Sequence, residues 1–219
     1  MDNDVSVGAS VAIDSSIVWG GWQLNGSHLS AYPIAGGGVP SFEFPAHDRD
    51  GFVGVRAAKV SDRSIFLDRD LFTGDENIRV YAFTSQSDGT PDWSFELPTL
   101  AGSLPTFRSI AVSRDGSTAA AVGFHDFGKG EESTLYVFNA ATGDILSTWS
   151  DPSRMQAVDL TDDGALALVS QDAQATLIDT ATGSVVFQAP NSGGNSINFR
   201  LSGDGSAFVV GGFDFDVYK

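Results

Sequence analysis

The sequence of 219 residues contains no cysteine, only three lysines and no long apolar run. Without cysteine there can be no disulfide, no thiolate metal ligand and no cysteine nucleophile. No stretch approaches the roughly 18 consecutive apolar residues of a membrane-spanning helix, so we expect no membrane insertion. The first residues lack the basic region and apolar run of a secretory signal. These absences leave the compartment open, with an extracellular or periplasmic location as the alternative for a processed chain.

Basic residues are scarce and acidic residues dominate, with 12 Lys and Arg against 28 Asp and Glu and a formal net charge of −16. Affinity for nucleic acids depends on Lys and Arg that neutralise phosphates, so we expect no binding to DNA or RNA. Of the acidic residues, 23 are Asp, a residue that favours tight turns because its side chain hydrogen-bonds the nearby backbone. Turn formation is therefore the main explanation of the excess, and a saline or extracellular origin is the alternative.

The remaining composition is typical of a folded β-protein. Hydrophobic residues make up 42% of the chain, charged residues 18%, and there are 25 glycines. This balance argues against disorder and suits many short strands joined by tight turns. No stretch supports a helix of useful length. Because all-β domains often reach about 200–250 residues, we expect residues 1–219 to form a single domain.

The stretch from 107 to 190 contains two similar units. The first includes Ser113-Arg-Asp-Gly116 and Thr142-Gly143, and the second includes Thr161-Asp-Asp-Gly164 and Thr182-Gly183. The Asp-Gly turns are 48 positions apart and the Thr-Gly turns are 40 apart, the difference lying in an insertion at 124–133. A fixed period whose length changes in one loop predicts stacked supersecondary units.

Similar strand and turn patterns divide the whole chain into five units, at about 7–45, 51–98, 107–151, 155–190 and 196–219. Each of the first four predicts four antiparallel strands, and the fifth lacks its fourth strand. Gly36-Gly-Gly38 takes the place of a Thr-Gly turn and is predicted to be a turn, not a phosphate-binding loop. Such units are typical of a β-propeller. We predict an all-β propeller of about five four-stranded blades, as a ring or as an open fragment of a larger ring.

The strands of each unit, lettered a to d, should differ in composition. The a strands converge on a central channel and are expected to carry small apolar residues such as Ala111 and Ala157. The outer d strands carry large aromatic residues that should fill the gaps between adjacent blades. These residues are Phe44, Phe95, Trp149 and Phe187.

Three segments carry a resemblance to known families. Thr134-Leu-Tyr-Val-Phe-Asn-Ala-Ala-Thr-Gly-Asp144, followed by Trp149, resembles the repeat of the quinoprotein-dehydrogenase-like and WD40-like propellers, and residues 175–183 resemble it too. Residues 7–13 with 17–21 are similar, in outline, to the integrin-type propeller repeat. The resemblance implies the propeller fold and, for a quinoprotein dehydrogenase, PQQ or Ca²⁺ in the channel.

This chain departs from those families in several respects. Many quinoprotein dehydrogenases have a vicinal disulfide, which a chain without cysteine cannot form. Their rings have more than five blades. The WD dipeptide is absent from the strand ends, and Asp14-Ser-Ser16 does not supply the ligands of an integrin-type calcium loop. The resemblance therefore predicts the fold and leaves the function open.

The b–c loops of the five units share one face of the predicted propeller and differ from unit to unit. Variable loops on a repeated scaffold are the usual place of function. We therefore predict a binding surface on this face, formed by Trp22, Asn25, Asp70, His125, Asp126, Gln171, Asp172, Phe213 and Asp214.

Catalytic and metal sites are less well supported by the sequence. The only calcium candidates are Asp68, Asp70, Asp75 and Glu76, whose spacing matches no defined calcium loop. Adjacent residues rarely face each other, which counts against His125 and Asp126 as a base and its orienting carboxylate. No Gly-x-Ser-x-Gly sequence anchors a serine nucleophile. We predict no catalytic residue, metal or cofactor, with Ca²⁺ and PQQ as the alternatives.

Two functions of different class follow from these patterns. The first is a non-enzymatic scaffold that binds a protein or glycan partner through the b–c loop face. The alternative is an enzyme, or enzyme fragment, of quinoprotein-dehydrogenase type. Because the last unit lacks one edge strand, self-association through that edge is a further expectation.

Overall fold

The computed structural model describes residues 8–11, 17–23, 27–47, 52–69, 78–98, 100–127, 130–190, 198–211 and 215–219. All regular secondary structure in these ranges is β-strand, so the predicted all-β class is confirmed. Among the same residues, no helix has the length and apolar character needed to cross a membrane.

The first two sheets are four-stranded antiparallel meanders, with neighbouring strands consecutive in the chain. The first contains β1 (Gly8–Val11), β2 (Ile17–Gln23), β3 (Ser27–Pro33) and β4 (Phe42–His47). The second contains β5 (Phe52–Ala57), β6 (Ser64–Arg69), β7 (Arg79–Phe83) and β8 (Trp93–Glu96). The three glycines after β3 form the predicted turn, with φ of 64° at Gly37 and 86° at Gly38.

The next three sheets repeat this arrangement. The third contains β9 (Leu104–Val112), β10 (Thr118–Asp126), β11 (Glu131–Asn139) and β12 (Ile145–Asp151). The fourth contains β13 (Met155–Leu160), β14 (Leu166–Gln171), β15 (Gln174–Asp179) and β16 (Val185–Pro190). The fifth contains β17 (Asn198–Leu201), β18 (Phe208–Gly211) and β19 (Phe215–Tyr218). The first four sheets thus have the predicted four strands, and the fifth has the predicted three.

The a–b turns of the third, fourth and fifth sheets share one geometry, which an aspartate fixes. In the third sheet, Ser113 Oγ donates to Asp115 Oδ1 at 2.6 Å, and the backbone N–H two residues after Asp115 donates to the same oxygen at 2.9 Å. The same arrangement recurs around Asp163 and Asp204. At these positions, the prediction that aspartates serve tight turns is confirmed.

Each sheet packs against the next one along the chain, as blades of a propeller do, with an apolar core between them. Between the first and second sheets, the largest fully buried side chains are Trp19, Phe66 and Phe83. Between the second and third, Phe107 and Phe138 are fully buried. The propeller-like architecture is therefore as predicted. The open-arc alternative stays a prediction.

Three of the four outer aromatic residues fill the gaps between blades, as predicted. Phe95 of β8 reaches the third sheet, where its ring centroid lies 5.0 Å from those of both Tyr136 and Phe138. Phe44 of β4 makes equivalent contacts with the second sheet, and Trp149 packs in the core between the third and fourth. Phe187 of β16 contacts rings of the fifth sheet but remains 46% exposed.

The inner strands are less apolar than the sequence analysis predicts. Ala111 of β9 is buried, as expected for a strand at a crowded axis. Arg56 of β5, Asp159 of β13 and Arg200 of β17 lie on inner strands too. Charged residues are tolerated there because the inner strands border an open cavity, where the side chains remain partly solvated.

Candidate functional site

The inner strands β5, β9, β13 and β17 enclose a cavity of about 590 Å³. The residues that line it come from the last part of each strand and from the a–b turns that follow β5, β9 and β13. The cavity therefore lies at the end of the inner strands that leads into these turns. Its volume falls in the range of about 300–1,000 Å³ that is typical of small-molecule sites.

Four cationic side chains line this cavity although the chain as a whole is strongly acidic. Arg56 and Arg200 stand on inner strands, while Lys59 and Arg114 lie in the a–b turns of the second and third sheets. Among the residues that the structure describes, the lining includes two carboxylates, from Asp159 and Asp162. The described lining thus carries a formal charge of about +2 in a chain whose net charge is −16.

Two of the four cations have a carboxylate partner. The guanidinium of Arg200 lies 4.0 Å from Asp159 Oδ2, and that of Arg114 lies 3.6 Å from Asp162 Oδ2. The Arg200 side chain is 83% exposed, so its pair with Asp159 is loose and contributes little to stability. Within the described part of the chain, neither Arg56 nor Lys59 lies within ion-pair distance of a carboxylate.

The environment of Arg56 is unfavourable for its positive charge. Burial lowers the pKa of the Arg56 guanidinium, the nearby charge of Arg200 lowers it further, and Asp159 offsets part of this effect. One guanidinium nitrogen donates to the carbonyl oxygen of Val55 at 2.9 Å. Arginine remains protonated at neutral pH, so an anion beside Arg56 would relieve its repulsion with Arg200.

The walls of the cavity are held by hydrogen bonds between sheets. Asp159 Oδ2 accepts the backbone N–H of Leu201 at 3.0 Å, which links β13 to β17. The carbonyl oxygen of Arg114 accepts the backbone N–H groups of Lys59 and Val60, both at 3.0 Å. The charged groups are therefore carried on a connected backbone, as a preorganised binding site requires.

The predicted loop-face residues fall into three groups. Asn25, Asp70, Phe213 and Asp214, and the calcium candidates Asp75 and Glu76, lie outside the described residues. Trp22 lies in β2 and Asp68 lies in β6, so only their strand positions are defined. The remaining four residues lie at the b–c ends of the third and fourth sheets.

His125 and Gln171 are buried at equivalent places near the ends of β10 and β14. His125 Nε2 lies 2.7 Å from the carbonyl oxygen of Pro98, so this nitrogen carries the proton because a carbonyl can only accept. Gln171 Oε1 accepts from Thr176 Oγ1 at 2.7 Å. Inside the protein, His125 thus bonds to the backbone of a neighbouring segment and Gln171 to a neighbouring side chain.

Asp126 and Asp172 are more accessible. Asp126 is the last residue of β10 and is exposed, while Asp172 is half-buried and accepts from Gln156 Nε2 at 2.9 Å. The structure also shows an aromatic residue that the sequence analysis missed. Phe127 is 37% exposed, and its ring lies 6.5 Å from that of His125. The binding role of this face stays a prediction.

No metal site is formed by the residues whose positions are defined. In that part of the chain, no group of three or more His, Asp or Glu side chains could hold a metal ion. In the cavity, the two carboxylates face cations, whereas Ca²⁺ takes six to eight oxygen ligands.

Comparison with known proteins gave no match to a protein-family model and no match to a curated protein. The function is therefore inferred from the residues of this chain and their geometry.

Proposed function

We propose that this chain is a binding protein of propeller type that holds an organic anion in the cavity between its inner strands. The observation that carries the proposal is the excess of positive charge at that place. Four cations and two carboxylates line the cavity, and Arg56 and Lys59 have no carboxylate within ion-pair distance in the described structure.

Physical chemistry favours an anionic occupant. A guanidinium offers planar pairs of N–H donors that match carboxylate and phosphate groups. Such charge-assisted hydrogen bonds are stronger where the site is partly shielded from water. The guanidinium of Arg56, whose pKa is lowered by burial and by the nearby charge of Arg200, is therefore suited to an anionic group that contacts both side chains.

The size of the cavity favours an organic ligand over a simple ion. At about 590 Å³ the cavity exceeds the volume of a single sulfate or phosphate. Its lining also includes partly buried apolar residues, such as Ala57, Val112 and Ala157, which would contact a carbon framework. PQQ, to which the quinoprotein resemblance points, is an organic anion and one member of this class.

The proposal is tested by calorimetric titration and thermal shift with a panel of organic anions that includes PQQ, and with phosphate and sulfate. We expect at least one organic anion to raise the melting temperature. Arg56→Gln should weaken its binding about tenfold or more, because hydrogen bonds to charged groups contribute roughly 1.5–3 kcal/mol.

A matched control is available outside the cavity. Arg79 of β7 pairs with Glu96 of β8 on the outer part of the second sheet, so Arg79→Gln removes one positive charge without touching the site. The affinity of Arg79→Gln for the organic anion should equal that of the unmodified protein. If Arg56→Gln and Arg79→Gln lose the same affinity, or if no anion of the panel binds, the proposal is contradicted.

The loop-face scaffold is a second candidate, and the exposed ring of Phe127 favours it. This aromatic residue follows β10 on the b–c side and is supported by buried His125. Phe127→Ala should abolish binding to a glycan that a glycan array identifies, whereas Val186→Ala, at an exposed position of β16, should not. Unchanged glycan binding by Phe127→Ala would count against this face.

A further inference from the structure

The cations of the cavity stand at two places along the chain, within the inner strands and in the turns that follow them. Arg56 lies within β5, near Arg200 of β17, and these two side chains form the inner position. Lys59 follows β5 by two residues and is bonded through its backbone N–H to the carbonyl oxygen of Arg114, so these two residues form the outer position. Among the described residues, each position thus contains one cation with a carboxylate partner and one cation without.

We infer that the ligand is a dianion with two separated charges, one held at the inner position and one at the outer position. This inference rests on the proposed function and specifies the ligand class of the same site. The formal charge of the lining residues that the structure describes is about +2, so two negative charges would neutralise it. A single anionic group at the inner position would leave Lys59 uncompensated.

The placement of the two cations on the chain suggests the kind of dianion. Arg56 lies in β5 and Lys59 lies in the turn two residues beyond its end, so their backbone positions are at most about 10 Å apart. Partly buried Ala57 lies between them and also lines the cavity. The best match is a dicarboxylate, or an equivalent molecule, whose acidic groups are joined by a short carbon chain.

The experiment compares straight-chain dicarboxylates of four to eight carbons with monocarboxylates of the same length, by calorimetric titration. We expect at least one dicarboxylate to bind about tenfold more tightly than its monocarboxylate partner. Lys59→Gln should weaken dicarboxylate binding about tenfold more than monocarboxylate binding, and so remove this preference. Lys59→Arg, which keeps the charge, should retain the preference.

The outcomes separate this inference from the proposed function. If mono- and dicarboxylates bind equally, or if Lys59→Gln weakens both to the same extent, the dianion inference is overturned and the anion site stands. Equally tight binding of sulfate and the best dicarboxylate would also overturn it, because sulfate has no separated charges. If Arg56→Gln leaves the binding of every anion unchanged, the proposed function itself fails.

Discussion

The indole Nε1 of Trp93 donates a hydrogen bond to the carbonyl oxygen of Ala140 at 2.9 Å, and this bond ties β8 to the c–d turn of the next sheet. The same relationship recurs one sheet further on, where Ser147 Oγ donates to the carbonyl oxygen of Thr180 at 2.6 Å. Outer strands therefore hold the turns of their neighbours by hydrogen bonds as well as by apolar packing.

Trp93→Phe tests the contribution of this bond. The substitution leaves the carbonyl of Ala140 without its indole donor, and we expect a loss of about 1–2 kcal/mol in the free energy of unfolding. The matched control is Trp149→Phe, at a half-buried tryptophan that packs between the third and fourth sheets and whose indole nitrogen makes no hydrogen bond in the described structure. Urea denaturation of both variants should show the larger loss for Trp93→Phe, and equal losses would contradict the role of the bond.

Gly143→Ala tests the close approach of the same two sheets. A Cβ at this position would lie 2.8 Å from the Trp93 ring, and the residue has φ of 78°. Gly37 has a similar φ of 64° but no atom within 4 Å of its Cβ position. We expect Gly37→Ala to cost about 1–2 kcal/mol from backbone conformation alone, and Gly143→Ala to cost about 1–3 kcal/mol more because of the contact. Thermal and urea unfolding would measure the difference in stability loss between the two variants. Equal losses would mean that the Trp93 ring moves aside without cost, and would contradict the prediction.

Phe95→Leu tests the outer aromatic residues as packing between blades. Phe95 contacts Phe107, Tyr136 and Phe138 across the gap between the second and third sheets. We expect a loss of about 1–3 kcal/mol. Phe187 occupies the corresponding outer strand of the fourth sheet but is 46% exposed, so Phe187→Leu should cost less than about 1 kcal/mol. A larger loss of stability for Phe187→Leu than for Phe95→Leu in urea unfolding would contradict the role of Phe95 in filling the gap.

The fold could be predicted from the sequence because its signals are local. A left-handed glycine closes the a–b turns at Gly116, Gly164 and Gly205, and the c–d turns at Gly143 and Gly183. These turns, and the short apolar runs between them, are visible within a few residues of sequence. The number of strands in each sheet follows from them.

The cavity could not be predicted in the same way because its parts are distant in the chain. Arg56 and Arg200 belong to the second and fifth sheets, and nothing local to either residue indicates the other. One available signal was the unusual placement of arginine on inner strands of a chain with only twelve basic residues. For His125 and Gln171, the sequence was misleading in another way. Their polar side chains predicted exposure, but both are buried because hydrogen bonds inside the protein allow it.

Acid unfolding should depend on the turn aspartates, and Asp204 is the clearest case. The backbone N–H of Ser206 and the hydroxyls of Ser202 and Ser206 donate to its carboxylate, and together they lower the pKa of Asp204 to about 2. An unfolded aspartate has a pKa near 3.9. Between about pH 4 and pH 2, the unfolded chain therefore binds a proton that the folded turn does not, so this contribution to stability is lost as the pH falls through that window.

Asp204→Asn removes this titration while keeping an oxygen acceptor in the turn. Its urea midpoint should lie below that of the unmodified protein at pH 5, and the gap between the two should narrow as the pH falls to about 2.5. Ser206→Ala removes one hydroxyl donor but retains the backbone donor, so it should show an intermediate dependence on pH. A gap between Asp204→Asn and the unmodified protein that stays constant across this range would contradict the assignment of the lowered pKa to the turn.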